Sequence, residues 1–370
     1  MDVVLAGDFF PNNRAVEPVL RQIESIFTSS IRKIISEADF SLLNFESPII
    51  DGTEFKPIDK SGPSLKSTKE SGAYIKSLGF DMVALANNHT SDYGVEGLRN
   101  TINVFKSLNI MTIGAGNNIE EASKIEYKKD LAVINCCENE FGIATATTAG
   151  ANPLNPISQY YKIIDAKKKA KYIIVFVHGG MEHFQYPSIR MKETYRFFID
   201  VGADAVINTH QHCFSGYEVY KSKPIFYGLG NFFFDSFDKY EKSTIWNYGY
   251  MVKLQIQQNI EFKLIPYIQC AEEPIVRLLN STEEEVFIKE IQHINQIIGD
   301  DSELTKINKK WKDNNTNIYR FLSRPYNKKF FISWIKNIIP LYFNKKSKEI
   351  LLNCIRCESH RERFVDYLLK

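Results

Sequence analysis

The amino terminus has no long apolar run. Met1 is followed at once by Asp2 and the strand-like VVLAGD, with neither the basic segment nor the hydrophobic stretch of a secretory signal or a membrane span. The expectation is a chain that starts in its fold and works in the cytoplasm, with membrane association as one of two readings of a later segment described below. Cysteine is also sparse. There are six in 370 residues, too few for a disulfide framework. Cys136 and Cys137 are adjacent, Cys213 and Cys270 are isolated, and Cys354-x-x-Cys357 has no second pair to complete a zinc site. The thiols therefore read as core or helix residues in a reducing compartment. Net charge is nearly absent, at +2, so bulk charge does not argue for a polyanion, and no nucleic-acid partner is expected. What is present is hydrophobic content of 44%, enough for a large core. The expected division is a main domain over 1–270 and a helical extension over 271–370.

Chemistry-bearing residues collect where apolar runs stop. Val3 to Ala6 ends at Gly7-Asp8, and FSLLNF ends in Asn44, Glu46 and Pro48. Phe80 to Ala86 reads as a buried strand that stops at Asn87, Asn88 and His89, followed by Ser91, Asp92 and Gly94. YIIVFV, from Tyr172, ends in His178-Gly179-Gly180 with Glu182 and His183 beyond. Ala203 to Ile207 ends in Asn208, Thr209, His210, Gln211 and His212, and Pro224 to Tyr227 ends in Gly228, Gly230 and Asn231.

Asn, Ser and Asp are ordinary turn formers, and one histidine at a strand end is usually structural. The repetition is what carries meaning, because the carboxyl ends of strands in an α/β sheet share one rim. In an extended segment His210 and His212 lie on one face. Imidazole and oxygen donors without thiolates suit Mn, Fe or Zn. A two-metal hydrolytic site needs a bridging carboxylate, neutral imidazoles and an open position for water.

Helical spacing is expected over Ala15 to Ser36, Val95 to Leu108 and Ile189 to Val201. Asp51 to Lys69 reads as a loop beside a site, and Asn139 to Pro156 as a second long loop. Gly114-Ala-Gly-Asn117 reads as a tight turn. From Pro274 the chain turns polar and helical, with Val286, Ile288, Ile291, Ile294, Ile297 and Ile298 as an apolar stripe. Residues 303–370 hold sixteen Lys or Arg against six acidic residues, a net of +10, which leaves 1–302 at −8. Within this basic region, 330–343 is aromatic and flanked by lysines. It is too short to span a bilayer, and it suits either an interfacial helix at an anionic membrane or a helix packed on the body.

The set Gly7-Asp8, NFE at 44–46, ANNH at 86–89, HGGxE at 178–182, HxH at 210–212 and FYGLGNFFFD at 226–235 resembles the CapA family, the poly-γ-glutamate capsule synthesis proteins. That family is grouped with the calcineurin-like metallophosphoesterases. The resemblance covers roughly Met1 to Gln269 and implies a four-layer α/β/β/α sandwich with a metal site at one edge. It assigns Asp8 and His212 to one metal, Asn88, His178 and His210 to a second, and Glu46 to the bridging position. His89 would be the general acid or transition-state stabiliser, and Glu182 and Asn231 would line the substrate site.

The chain also departs from the pattern. Asp8-Phe9-Phe10 stands where the superfamily has Asp-x-His, Gly179 stands where the family tends to carry tryptophan, and NTHQH replaces GHHPH. The glycine is expected to open space above the metal. Two functional readings remain at this stage. One is a hydrolase using one or two divalent ions on a phosphoester, ester or amide bond of a small-molecule or polymer substrate. The other is a non-catalytic scaffold, alongside other capsule-synthesis proteins, with a vestigial metal site.

Overall fold

A computed structural model describes residues 1–52, 54–236, 244–315 and 345–368. The segment 330–343 lies outside the described residues. Among those described, no helix is long and apolar enough to cross a membrane.

Two sheets face each other. In the first, strands Asp2–Phe10, Phe40–Phe45, Met82–Ala84 and Met111–Ile113 run parallel. On its other side the sheet continues antiparallel through Tyr248–Ile256, Ile260–Gln269 and Val276–Leu278, while Asn231–Phe234 pairs with the end of Asp2–Phe10. In the second, Leu131–Cys137, Tyr172–His178, Ala205–Thr209 and Lys223–Phe226 are parallel, with antiparallel edges at Glu126–Lys128 and Tyr217–Tyr220.

The central strands are buried on both faces, which is why they read as unbroken apolar runs. Leu5, Leu42 and Met82 of the first sheet share a core with Ile174, Val206 and Ile225 of the second. On the outer face of the first sheet, Val4, Leu43 and Phe45 meet Ile31, Tyr74 and Phe105 from helices Ser29–Ser36, Lys69–Leu78 and Gly94–Ser107. Helices Pro156–Lys167 and Ile189–Val201 cover the second sheet through Ile163, Met191 and Phe198. The result is the four-layer α/β/β/α sandwich, with carboxy-terminal helices Ser281–Gly299, Asp301–Asn314, Lys345–Arg356 and Glu358–Leu368 added.

Three local expectations are corrected. The helix expected over Ala15 to Ser36 is broken into Val16–Leu20 and Ser29–Ser36. Gln22 turns left-handed at φ 55°, and Phe27 becomes extended to bridge Val276 at the sheet edge. Pairing with a distant strand overrides the local periodicity. Second, the strand within Phe80 to Ala86 is only Met82–Ala84, because the Ala86 N–H leaves the ladder and donates to Asn135 Oδ1 in the other sheet at 2.9 Å. Third, Val286 is exposed. The helix buries Phe287, Ile291, Ile294 and Ile298, with Phe287 against Phe214.

Candidate metal centre

Because both sheets are parallel at their centres, the carboxyl ends of five strands open on one edge. Asp8 sits at an irregularity of the first strand, where the register shifts on both sides of it. Gly7 makes this approach feasible, since a Cβ there would lie 1.8 Å from the Gly230 carbonyl oxygen. Glu46 follows Phe40–Phe45, Asn88 and His89 follow Met82–Ala84, His178 ends Tyr172–His178, and His210 and His212 follow Ala205–Thr209. His210 and His212 take positive φ values of 97° and 55°, a backbone that non-glycine residues adopt at a cost and that recurs at functional sites.

All seven side chains are buried, and the ligand atoms of five of them form two groups sharing one carboxylate. Glu46, His178 and His210 present atoms within 4.8 Å of one another, as do Asp8, Glu46 and His212. Both Glu46 oxygens are buried with no hydrogen-bond partner. Two imidazoles approach Glu46, His178 Nε2 at 3.5 Å and His212 Nε2 at 3.8 Å. His178 Nε2 lies 3.0 Å from both Asn88 Oδ1 and His210 Nδ1, so several lone-pair atoms converge where one N–H can satisfy only one contact.

Burial sets the electrostatics. It raises Glu46 to about 8, and it raises Asp8 to about 7 with help from the neighbouring Glu46. Burial, with His178 beside it, lowers His210 to about 4, and burial, with His212 and His89 nearby, lowers His178. Neutral imidazoles facing uncompensated buried carboxylates fit a divalent cation, which would supply the missing charge.

Neighbouring residues fix these donors. Asn44 Nδ2 donates to Asp8 Oδ1 at 2.8 Å and approaches His178 Nδ1 at 3.3 Å, while Thr209 Oγ1 is 3.0 Å from that nitrogen. The His210 N–H donates to Asp8 Oδ2 at 3.1 Å. Asn231, fully buried, sets its Oδ1 2.9 Å from His212 Nδ1 and donates through Nδ2 to the His212 and Trp246 carbonyls. Glu182 and His183 are exposed, with His183 stacked on Trp246. His89 Nδ1 lies 2.7 Å from Asp92 Oδ2, and Lys60 comes to 3.1 Å of the same nitrogen while pairing with Asp92 Oδ1. Asn87 donates to Asn44 Oδ1 and the Phe45 carbonyl, bracing the two strand ends.

Sequence reasoning noted Asn44 at its strand end without giving it a role in this centre, and it missed Lys60. Lys60, on a long polar loop, carries no such local signal. A third cluster, Glu138, Cys357 and Glu358, also lies within metal-ligand reach, but protein partners already hold its carboxylates.

A four-layer sandwich that gathers carboxylate, amide and imidazole donors at one edge defines a protein with a candidate divalent-metal centre. The chain belongs to the family described as bacterial capsule synthesis protein PGA_cap, whose sequence model matches residues 2–236. It is similar to the PGA biosynthesis protein CapA of Bacillus subtilis, 34% identical over 247 residues, covering 63% of this chain and 64% of the relative. It is also similar to the capsule biosynthesis protein CapA of Bacillus anthracis, 30% identical, covering 64% of this chain and 60% of the relative. The chain thus spans less than two thirds of either relative. Among solved structures, a candidate 5′-nucleotidase from Staphylococcus aureus aligns with 79% of this chain and 58% of its own, at 15% identity and a TM-score of 0.43. A likeness that low carries no weight for function.

Proposed function

We propose that this chain is a metal-dependent hydrolase of a phosphoester, or a related ester or amide bond, in bacterial capsule or cell-surface polymer synthesis. The observation that carries the reading is Glu46, a fully buried carboxylate with two unpartnered oxygens shared by two clusters of ligand atoms. Asp8, Glu46 and His212 would hold one ion, and Glu46, Asn88, His178 and His210 a second. The donor set suits Mn, Fe or Zn. A divalent ion bound there supplies Lewis acidity and a water of lowered pKa.

The chain's own groups do the rest. Asp92 engages His89 at Nδ1, which leaves Nε2 as the nitrogen that can exchange a proton with a bound substrate. Asn44 and Asn231 hold donors in orientation, as outer partners of metal ligands do. Glu182 is exposed and its charge acts on Glu46, His178 and His210, so it would meet a substrate approaching these donors.

One observation favours the scaffold reading. Phe10, where the wider superfamily carries a further histidine that CapA-like proteins lack, packs edge-on against Phe234 at 4.9 Å in an apolar cluster with Leu65 and Trp246. Metal analysis of the purified chain, with a screen of phosphomonoesters, phosphodiesters and γ-glutamyl peptides in added Mn or Zn, separates the two. The hydrolase reading expects bound metal and an activity abolished in His178→Ala. Metal without activity on any of these substrates supports the scaffold.

A further inference from the structure

We infer that helices Lys345–Arg356 and Glu358–Leu368, which lie outside the family match, form a docked wall of the candidate metal centre on its His178–His210 side. The dock begins where the strand Leu131–Cys137 ends. The Glu138 N–H donates to the His178 carbonyl at 3.0 Å, so Glu138 stands directly beside a candidate ligand. Its carboxylate accepts from Arg190 Nη2 at 2.5 Å and from the Ser359 N–H at 3.2 Å, at the amino end of the last helix where negative charge is favoured. Arg190 Nε reaches on to Glu362 at 2.7 Å. Glu358 accepts from both nitrogens of Asn139, and Glu140 holds Asn353 at 3.0 Å and His360 at 3.3 Å. A second contact runs from Arg363 over Trp311 to Phe184, the residue after His183.

Gly179 is what admits this arrangement. A Cβ there would lie 2.7 Å from Glu138 Cγ, so the space expected above the metal is filled by the side chain that anchors the carboxy-terminal helices. The charges of Glu140 and Glu138 also act on His210. Carboxylates at this depth need their cation, and removing Arg190 takes away the counter-charge of Glu138 and leaves it the Ser359 N–H.

Chemical labelling of the chelated full chain tests the wall and needs no activity, so it stands or fails apart from the hydrolase reading. Cys357 is 2% exposed, and burial pushes its thiol well up, so N-ethylmaleimide labels it slowly while the dock holds. Diethyl pyrocarbonate reports on His178 and His210. In Arg190→Met and Gly179→Trp, peptide mass spectrometry should show Cys357 labelling faster by at least about tenfold through local opening, with the core thiols Cys136 and Cys213 still protected. His210 modification should rise with it. Unchanged Cys357 in both variants overturns the dock, and fast Cys357 with unchanged His178 and His210 overturns the wall. If core thiols label in a variant, Glu362→Gln, which removes one contact of the guanidinium, is read by the same two outcomes.

Discussion

The two halves of the candidate centre are built unequally. On one side, Asn88, His178 and His210 interlock at 3.0 Å, with Asn44 and Thr209 behind His178. On the other, Asp8 and His212 approach only to 3.8 Å, Asn231 meets the imidazole nitrogen while Trp246 and Phe234 pack on the ring, and Phe10 turns the next position apolar. Glu46 faces both. The difference gives the metal-dependent reading proposed above a specific expectation, that an added divalent ion occupies the braced His178–His210 side before the Asp8–His212 side.

The largest test of this asymmetry is ligand deletion. His178→Ala is expected to weaken metal binding at the His178–His210 side by more than about a hundredfold, beyond the value of an outer partner, and His212→Ala to weaken that binding by much less. Competition with a chromophoric chelator measures both, and equal losses would break the comparison.

Acidity comes next. In the chelated protein Asp8 and Glu46 have folded pKa values of about 7 and about 8, above the ordinary 3.8 and 4.5. The folded state therefore holds protons that the unfolded state has released, and stability falls as pH rises toward those values. His178 and His210 are lowered from 6.5, so they act in the opposite direction, adding stability as pH rises to 6.5. The net fall, roughly 2–3 kcal/mol, is expected between about pH 6.5 and 8. Denaturant unfolding of the chelated chain should show it, and Glu46→Gln should remove most of it. A flat profile over that window would mean that the carboxylates are relieved some other way.

Phe10→His sharpens the weak half by adding a donor. The number of ions bound per chain is expected to rise, with a stability cost of about 1–3 kcal/mol for placing an imidazole among Leu65, Phe234 and Trp246. The smallest effect is expected from Asn231→Ala, about tenfold in affinity at the weak half only. A matching loss at the His178 side would show that the halves are not separable.

The strands were largely legible because they are local objects, whereas the four-layer sandwich was an implication of the family resemblance. Runs such as YIIVFV, buried on both faces, announce themselves, and a polar residue that interrupts such a run marks a strand end. CapA family membership was likewise readable from the ordered motifs, and the match over 2–236 bears it out. The broken helix before Ser36 was not legible, because Phe27 is drawn into a bridge with Val276 nearly 250 residues away. Lys60 and Glu138 were missed for the same reason, since their partners Asp92, Arg190 and Ser359 come from other elements.

By itself the sequence determined which donor types stand at the strand ends, because hydrophobic periodicity and the residues that stop it are properties of short segments. Only the tertiary structure decided that Glu46 is shared and unpartnered, that Asn231 braces His212, and that Glu138 occupies the room left by Gly179. Those are distances between segments, and they are set by how two sheets and a carboxy-terminal helix pair exclude water together.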